Sequence, residues 1–269
     1  MKNYKEYFKG KKITVMGLGL LGRGLGDVKF LAECGADLIV TDLKKEEDLK
    51  TSLDELKDFK NIKYTLGKHD LADFRDRDFI LKIAGTPIDS PYIALARKNN
   101  IPIEMSTSLF AKLSGANIIG ITGTRGKSTV THLVYHILKI AYKEREEKIF
   151  LGGNVKGVST LAYLKKIKPR DIAILELDSW QLQGFGEAGL SPHMAIFTTF
   201  FSDHLNYYKN NLEAYLNDKS NIFKHQTAHD VLVVGNGVGR MLKEKYGKIM
   251  NAKIIVADQN SVPLDWKIK

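Results

Sequence analysis

The 269-residue chain contains one cysteine, six prolines and two tryptophans. The single cysteine, Cys34, excludes an intrachain disulfide and therefore the small disulfide-stabilised secreted domains. No apolar run approaches the roughly 20 residues that a membrane-spanning helix needs, so we predict that the chain has no membrane partner. The N-terminal stretch MKNYKEYFKGKK is charged and lacks the apolar centre of a secretory signal. These absences predict a cytoplasmic protein.

The charge balance is basic, with 41 lysine and arginine residues against 31 acidic ones and a formal net charge of +10. Such an excess can attract nucleic acid or a phosphorylated ligand. The basic residues nevertheless form short, scattered runs such as Lys11-Lys12 and Lys165-Lys166, without interleaved aromatic residues. This scatter favours a solvated lysine-rich surface and no nucleic-acid partner. A nucleic-acid-binding module stays open as an alternative, and it predicts binding that weakens steeply with salt.

Strand-like and helix-like segments alternate along the chain. Strand candidates are residues 13–16, 38–41, 79–83, 101–103, 117–121, 149–151, 172–177, 194–198, 231–234 and 253–256, and helix candidates are residues 22–34, 127–142 and 211–224. In the second of these helices, one face carries Leu133, Val134, Ile137, Leu138 and Ala141. The alternation predicts parallel sheets covered by helices. Ser114-Gly115 interrupts a helical pattern, so we predict two α/β domains, residues 1–114 and 115–269.

The stretch ITVMGLGLLGRGLGDVKFLAECGADLIVTD, residues 13–42, contains Gly17-x-Gly19-x-x-Gly22 directly after a strand-like run. This spacing is that of the dinucleotide-binding fingerprint, whose glycines let the backbone approach a pyrophosphate at a helix N-terminus. Asp42 lies twenty residues beyond Gly22, where the fingerprint places an acidic residue that contacts a ribose. Taken alone, the pattern is compatible with a nicotinamide-dependent oxidoreductase.

A second glycine loop lies in NIIGITGTRGKSTVTHLVYHIL, where a strand, a glycine turn, Lys127-Ser128 and an amphipathic helix follow one another. This order predicts a phosphate-binding loop, although Ile121 replaces the first glycine of the strict G-x-x-x-x-G-K-[ST] pattern. Lys127 is expected to contact terminal phosphate oxygens, and Ser128 to face magnesium. The candidate ATP-binding residues are Gly123, Thr124, Arg125, Gly126, Lys127, Ser128 and Thr129.

The combination of the two loops points away from a dehydrogenase, which has no need of a second phosphate cradle. T-G-T-x-G-K-S/T after a GLGxxG-type domain resembles the Mur ligases of peptidoglycan precursor synthesis, most of all those that add D-glutamate to UDP-N-acetylmuramoyl-L-alanine. The resemblance implies a Rossmann-like UDP-substrate-binding domain, then a P-loop ATPase-type α/β domain with a mostly parallel sheet. Other Mur ligases and folylpolyglutamate synthetase share the second loop and stay as alternatives.

Several downstream stretches extend the resemblance. ILELDSWQL ends a buried strand at Glu176, where a carboxylate beside a phosphate loop suits magnesium. It is similar to the family pattern ELSSFQL, with Asp178 and Trp180 as departures, and the match implies substrate contacts at Ser179 and Gln181. GGNVKG is similar to the family's GGNIG, whose asparagine, Asn154 here, contacts the muramoyl substrate.

Two further stretches imply a second metal ion. TTFFSDHLNYY places His204 on the histidine that binds this ion in the family, and YLNDKSNIF places Lys219 on a lysine that is N-carbamylated. The resemblance thus implies two magnesium ions held by Ser128, Glu176, His204 and Lys219. It also implies that Lys127, His204 and Lys219 are catalytic.

The first loop, GLGLLGRG, resembles the family's uridine-diphosphate loop, with Gly24 where many members carry serine. Ser106 and Thr107 likewise lie where relatives often carry an acidic residue. The implied substrate-binding residues of this half are Gly17, Gly19, Leu20, Leu21, Gly22 and Asp42.

The resemblance also implies an acyl-phosphate mechanism that consumes ATP and D-glutamate. Mur ligases continue with the rest of the ATPase domain and a third domain that binds the incoming amino acid. We therefore expect a truncated, monomeric chain that binds UDP-N-acetylmuramoyl-L-alanine and ATP but lacks the D-glutamate site.

Overall fold

A computed structural model of the chain describes residues 3–87 and 89–257, which form two compact units. The first unit runs up to Gly115 and takes in Val155–Pro169, and the second comprises Ala116–Asn154 and the residues from Arg170 onwards. The sequence analysis placed the boundary between residues 114 and 115 and assigned residues 155–169 to the second domain. In the structure, residues 155–169 belong to the first unit. Within the described ranges, no helix is both long enough and apolar enough to span a bilayer.

The first unit contains a five-stranded parallel sheet. Its strands are β1 (Lys12–Met16), β2 (Asp37–Asp42), β3 (Ile62–Leu66), β4 (Phe79–Lys82) and β5 (Ile103–Glu104). Its helices are α1 (Tyr4–Phe8), α2 (Arg23–Glu33), α3 (Glu46–Asp54), α4 (Pro91–Lys98) and α5 (Ser106–Ser114), with 3₁₀ turns at Leu71–Phe74 and Leu161–Lys165. The strand order β3-β2-β1-β4-β5 is that of a Rossmann fold, which confirms the predicted class. The order reverses at β1 and β4, so the loop after β1 leaves the sheet where such folds bind ligands.

The second unit contains a six-stranded parallel sheet. Its strands are β6 (Asn117–Thr122), β7 (Ile149–Gly153), β8 (Ile172–Glu176), β9 (Met194–Phe197), β10 (Val231–Gly235) and β11 (Lys253–Ala257). Its helices are α6 (Lys127–Ala141), α7 (Ser179–Glu187), α8 (Leu212–Ser220) and α9 (Asn236–Tyr246). The order β11-β10-β9-β6-β8-β7 puts β6 between β9 and β8 and confirms the predicted parallel sheet. The loop after β6 therefore emerges at the middle of the sheet.

Helix α6 covers this sheet through Val134 and Leu138, which pack on a cluster formed by Ile121, Ile149 and Ile174. The face marked in the sequence is only partly the buried one, because Leu133 and Ile137 are 56% and 54% exposed. Apolar residues occur on more than one side of this helix, so their spacing identifies the helix but not the side that meets the sheet.

Asp27 on α2 is a buried carboxylate of the first unit. Its Oδ1 accepts hydrogen bonds from Ser159 Oγ at 2.6 Å and from Ser106 Oγ at 2.9 Å. Burial raises the pKa of Asp27 from 3.8 to about 6, in spite of these bonds and the charge of Arg23. Because folding favours the protonated form, the stability that Asp27 contributes is present below pH 3.8 and is lost as pH rises through about 6.

We therefore expect Asp27→Asn to raise the free energy of unfolding at about pH 7.5 by on the order of 2 kcal/mol. The amide removes the buried charge, and its Oδ1 can still accept from both serines. Urea unfolding of the variant and the wild type at about pH 7.5 and about pH 4.5 measures the effect, which should shrink at the lower pH. Ser106→Ala is the matched control, since it leaves the charge in place and should give no stabilisation. An Asp27→Asn protein less stable than the wild type at the higher pH contradicts the prediction.

Candidate functional site

The first glycine loop connects β1 to α2. Gly17, Gly19 and Gly22 have φ angles of 105°, 66° and 78°, a left-handed region that glycine adopts without strain. At Gly17, a Cβ would also lie 2.5 Å from the Ile83 side chain. The backbone therefore favours glycine at all three positions, and at Gly17 the packing disfavours any larger residue as well. Leu20 and Leu21, in the same loop, are exposed over 60% and 51% of their surfaces.

Asp42, at the end of β2, braces this loop. Its Oδ2 accepts hydrogen bonds from the backbone N–H groups of Leu18 at 2.8 Å and Gly19 at 2.9 Å, and its Oδ1 accepts one from Lys44 N–H at 2.9 Å. The carboxylate thus holds the loop in shape through its amides. A direct contact between Asp42 and a uridine ligand stays a prediction.

The predicted phosphate-binding loop, called the phosphate loop below, connects β6 to α6. Gly123 and Gly126 have φ angles of 146° and 81°, and Gly126 is the left-handed N-cap of α6. Lys127 folds back over the loop, where its Nζ donates to the carbonyls of Gly123 at 2.9 Å and Thr124 at 3.2 Å. Ser128 is exposed in the first turn of α6, as is Thr129. A helix N-terminus with exposed hydroxyls and a nearby ammonium group suits a polyphosphate.

Two threonines that the sequence did not single out hold this loop. Thr198 Oγ1 donates to the carbonyl of Arg125 at 2.6 Å, and Thr199 Oγ1 accepts from Arg125 N–H at 2.9 Å. Thr124 N–H donates to the Thr199 carbonyl at 2.7 Å. Both threonines directly follow β9, the neighbour of β6. In the sequence, the two threonines simply follow an apolar strand. Their contact with the phosphate loop can be inferred only when the strand order is known.

Lys219, on α8, lies beside the same loop with only 1% of its surface exposed. Its Nζ donates to the Gly123 carbonyl at 2.9 Å and lies 3.4 Å from Thr122 Oγ1. Burial, together with the positive charge of Lys127, lowers the pKa of Lys219 to about 7. A lysine with no distinguishing feature in the sequence is thus brought next to the phosphate loop by the fold.

Glu176 and Asn154 lie together at the carboxyl ends of the neighbouring strands β8 and β7. Glu176 ends β8 in register with Ile121 of β6. Asn154 Nδ2 donates to Glu176 Oε1 at 3.2 Å, and Asn154 N–H donates to the Glu176 main-chain carbonyl at 2.8 Å. The predicted metal ligand and the predicted substrate contact are therefore direct neighbours.

His204 has a left-handed backbone, with a φ of 52°, which is uncommon for a residue other than glycine. Its ring packs between Trp180, at 4.8 Å between ring centroids, and Tyr215, at 5.8 Å. The preceding Asp203 forms an ion pair with Arg125 of the phosphate loop at 3.8 Å. These contacts place the segment of His204 against the loop, and the role of His204 as a metal ligand stays a prediction.

Ser179 and Gln181 begin α7, where they are 1% and 5% exposed. Gln181 N–H donates to Asp178 Oδ1 at 2.8 Å, and Asp178 N–H donates to Gln181 Oε1 at 3.1 Å, which is a capping box. Asp178, a departure from the family pattern, is therefore the N-cap of the helix. The substrate contacts implied for Ser179 and Gln181 stay predictions.

The four predicted metal ligands differ in how well their side chains suit a magnesium ion. Among residues 3–87 and 89–257, no group of three or more His, Cys, Asp or Glu could hold a metal ion. The hydroxyl of Ser128 and the carboxylate of Glu176 are oxygen donors of the kind that magnesium prefers, with phosphate oxygens as further ligands. His204 and Lys219 fit a cation only when the lysine has lost its positive charge.

Comparison with known proteins decides the family. Residues 121–265 match the family model described as Mur ligase middle domain, and residues 11–104 match the one described as Mur ligase MurD-like, N-terminal domain. The chain belongs to the Mur ligase family. The resemblance expected from the two loops is thereby confirmed.

Curated relatives of this Mur ligase chain carry the name UDP-N-acetylmuramoylalanine–D-glutamate ligase. One from Borreliella burgdorferi (strain ZS7) is 40% identical over 229 residues, which are 85% of this chain and 48% of the relative. One from Roseiflexus sp. (strain RS-1) is 39% identical over 225 residues, 84% of this chain and 47% of the relative. The chain spans about half the length of the curated relatives it matches.

Solved structures of Mur ligases share the fold. The UDP-N-acetylmuramate:L-alanyl-γ-D-glutamyl-meso-diaminopimelate ligase of Neisseria meningitides aligns with a TM-score of 0.57 at 14% identity, covering 91% of this chain and 78% of that one. The UDP-N-acetylmuramate-alanine ligase of Thermotoga maritima aligns with a TM-score of 0.50 at 23% identity, covering 83% and 49%. At these identities the likeness supports the α/β fold alone.

The two glycines of the phosphate loop provide a test of its packing. A Cβ at Gly123 would lie 2.0 Å from Thr198 Oγ1, whereas one at Gly126 would come no closer than 3.8 Å to the same side chain. We expect Gly123→Ala to lower the free energy of unfolding by about 3 kcal/mol or more, through clash and strain. Gly126→Ala adds strain alone and should cost about 1–2 kcal/mol. Urea unfolding of the two variants side by side measures the difference, and equal losses contradict the described packing.

Proposed function

We propose that this chain carries the UDP-substrate and ATP sites of a ligase that joins D-glutamate to UDP-N-acetylmuramoyl-L-alanine. The observation that carries the proposal is the convergence of Lys127 and Lys219 on the Gly123 carbonyl within a phosphate-binding loop. Membership of the Mur ligase family and the names of the relatives support the reaction. Because the chain spans about half of those relatives, the complete activity and the D-glutamate partner belong to this proposal.

The proposed reaction has two displacements. The carboxylate of UDP-N-acetylmuramoyl-L-alanine attacks the γ-phosphorus of ATP, an oxygen–phosphorus bond forms, and ADP leaves. The amine of D-glutamate then attacks the carbonyl carbon of the acyl phosphate, inorganic phosphate leaves, and the nitrogen gives up a proton as the amide forms. The first step brings a carboxylate toward a triphosphate, so the site must neutralise negative charge.

The phosphate loop supplies much of that neutralisation. Lys127 can exchange its two carbonyl partners for terminal phosphate oxygens, which are stronger acceptors because they are charged. The backbone amides at the start of α6 face the same region and suit an anion. Positioning and electrostatics, more than covalent chemistry by the protein, would supply most of the rate.

We propose that Ser128 and Glu176 hold one magnesium ion and that His204 and N-carbamylated Lys219 hold a second. The ions, when bound, supply further neutralisation of phosphate charge. Carbamylation joins the Nζ of neutral Lys219 to the carbon of carbon dioxide and releases one proton. The product keeps an N–H that can still donate to the Gly123 carbonyl, so the modification is compatible with the geometry of the buried lysine.

Cytoplasmic location, a monomeric state and the lack of a nucleic-acid partner stay predictions from the sequence. The alternatives within and outside the family make distinct predictions about ligands. An oxidoreductase predicts that the first glycine loop binds NAD, and a folylpolyglutamate-type ligase predicts binding of a folate.

Calorimetric titration of the wild type with UDP-N-acetylmuramoyl-L-alanine, NAD and a folate separates these possibilities. We expect the UDP ligand to bind at least about tenfold more tightly than either of the others, because the first loop serves a uridine diphosphate. Tighter binding of NAD or of the folate would overturn the assignment of this loop.

We expect Lys127→Ala to weaken the binding of Mg-ATP by about 10–100-fold, the usual value of a hydrogen bond between charged groups. Calorimetry measures the affinity, with Lys139→Ala, an exposed lysine farther along α6, as the matched control. The affinity for UDP-N-acetylmuramoyl-L-alanine should stay unchanged in both variants. An unaltered Mg-ATP affinity in Lys127→Ala refutes the ATP site.

A further inference from the structure

The segment Val155–Pro169, called the strap below, lies along α2 in the first unit. Near one end, Gly157 N–H donates to the carbonyl of Leu21 in the first glycine loop at 2.9 Å. Toward the other end, Lys165 forms an ion pair with Glu33 at the end of α2. The strap therefore follows the helix from the substrate loop to its last turn.

The side of α2 beneath the strap lacks bulky side chains at the points of closest approach. A Cβ at Gly26 would lie 2.6 Å from Ser159 Cβ, and one at Gly22 would lie 3.4 Å from Gly157 Cα. Glycines one helical turn apart thus allow the strap to lie directly on the helix backbone.

Asp27 is the polar centre of this contact. Its Oδ1 receives the Ser159 hydroxyl at 2.6 Å and the Ser106 hydroxyl at 2.9 Å. Ser159 Oγ in turn accepts from Ala162 N–H at 3.1 Å, at the start of the 3₁₀ turn of the strap. One carboxylate oxygen therefore fixes both the position of Ser159 and the local shape of the strap.

Asp27 has no role in the proposed reaction. Its burial nevertheless lowers the stability of the protein at neutral pH, because a buried carboxylate is costly. Arg23, on the same helix, is the charged group that acts on it, and Ser106 and Ser159 are its polar neighbours from the other packed elements. Buried ionisable groups of this kind are more frequent at functional sites than elsewhere.

We infer that Asp27 is a positioning residue for the substrate loop. It holds the strap through Ser159, and the strap holds the Leu21 carbonyl through Gly157 N–H, so the loop is kept in one conformation before its ligand arrives. The identity of that ligand rests on the proposed function, whereas the effect on the strap does not.

The test compares Ser159→Ala and Asp27→Ala with two controls. Asp27→Asn keeps an acceptor at Oδ1, and Ser106→Ala removes the hydroxyl that lies outside the strap. Hydrogen exchange at the Gly157 amide reports on the strap, and calorimetry reports the affinities for UDP-N-acetylmuramoyl-L-alanine and Mg-ATP. We expect Ser159→Ala and Asp27→Ala to speed the exchange and to weaken UDP-ligand binding about tenfold, with Mg-ATP affinity unchanged. Neither control should speed the exchange at Gly157 or weaken the binding of the UDP ligand.

Unchanged exchange at Gly157 in Ser159→Ala overturns the inference, and so does an equal loss of affinity for both ligands, which would indicate general loosening. Ser159→Ala keeps the test decisive if Asp27→Ala fails to fold. If the wild type does not bind the UDP ligand, the proposed function fails, and the exchange measurement alone then decides the role of Asp27 in holding the strap.

Discussion

The side chains of Lys127 and Lys219 both donate to one backbone carbonyl, that of Gly123, and the proposed ATP site depends on this contact. Burial is the main cause of the low pKa of Lys219, and repulsion by the nearby positive charge of Lys127 lowers this pKa further. An anion bound nearby relieves that repulsion. The phosphate loop is thus electrostatically prepared for a polyphosphate, and the neutral form of Lys219 is accessible near neutral pH.

The two glycine loops are held in place by hydrogen bonds to different types of side chain. The carboxylate of Asp42 accepts from the amides of the first loop, whereas the hydroxyls of Thr198 and Thr199 hold the backbone of the second. A hydroxyl group adds no negative charge beside Lys127 and the N-terminus of α6, where we propose that a triphosphate binds. Each loop follows a strand at which the order of its sheet reverses, so the parallel topology places both at ligand-binding edges.

Much of the fold was predictable because parallel strands buried on both faces read as continuous apolar runs. The strand β3, Ile62–Leu66, was missed because it lies at the edge of its sheet and is only partly buried. The apolar face of α6 marked in the sequence is only partly the face that is buried, since Leu133 and Ile137 are exposed. Among the candidate site residues, Glu176 and the loop glycines were named from local sequence pattern. Thr198 and Thr199 could not be named in this way, because they contact the loop only through the pairing of β9 with β6.

By itself, the sequence determined the two glycine loops, the parallel α/β class and the family, because each depends on local backbone geometry or on residue spacing. The tertiary structure decided that Lys219 is buried beside Gly123, that Asp178 caps α7 and that Val155–Pro169 packs on α2. These are contacts between residues far apart in the chain or choices among several local partners. Spacing along the chain carries no information about either until the strands have been paired and the helices packed.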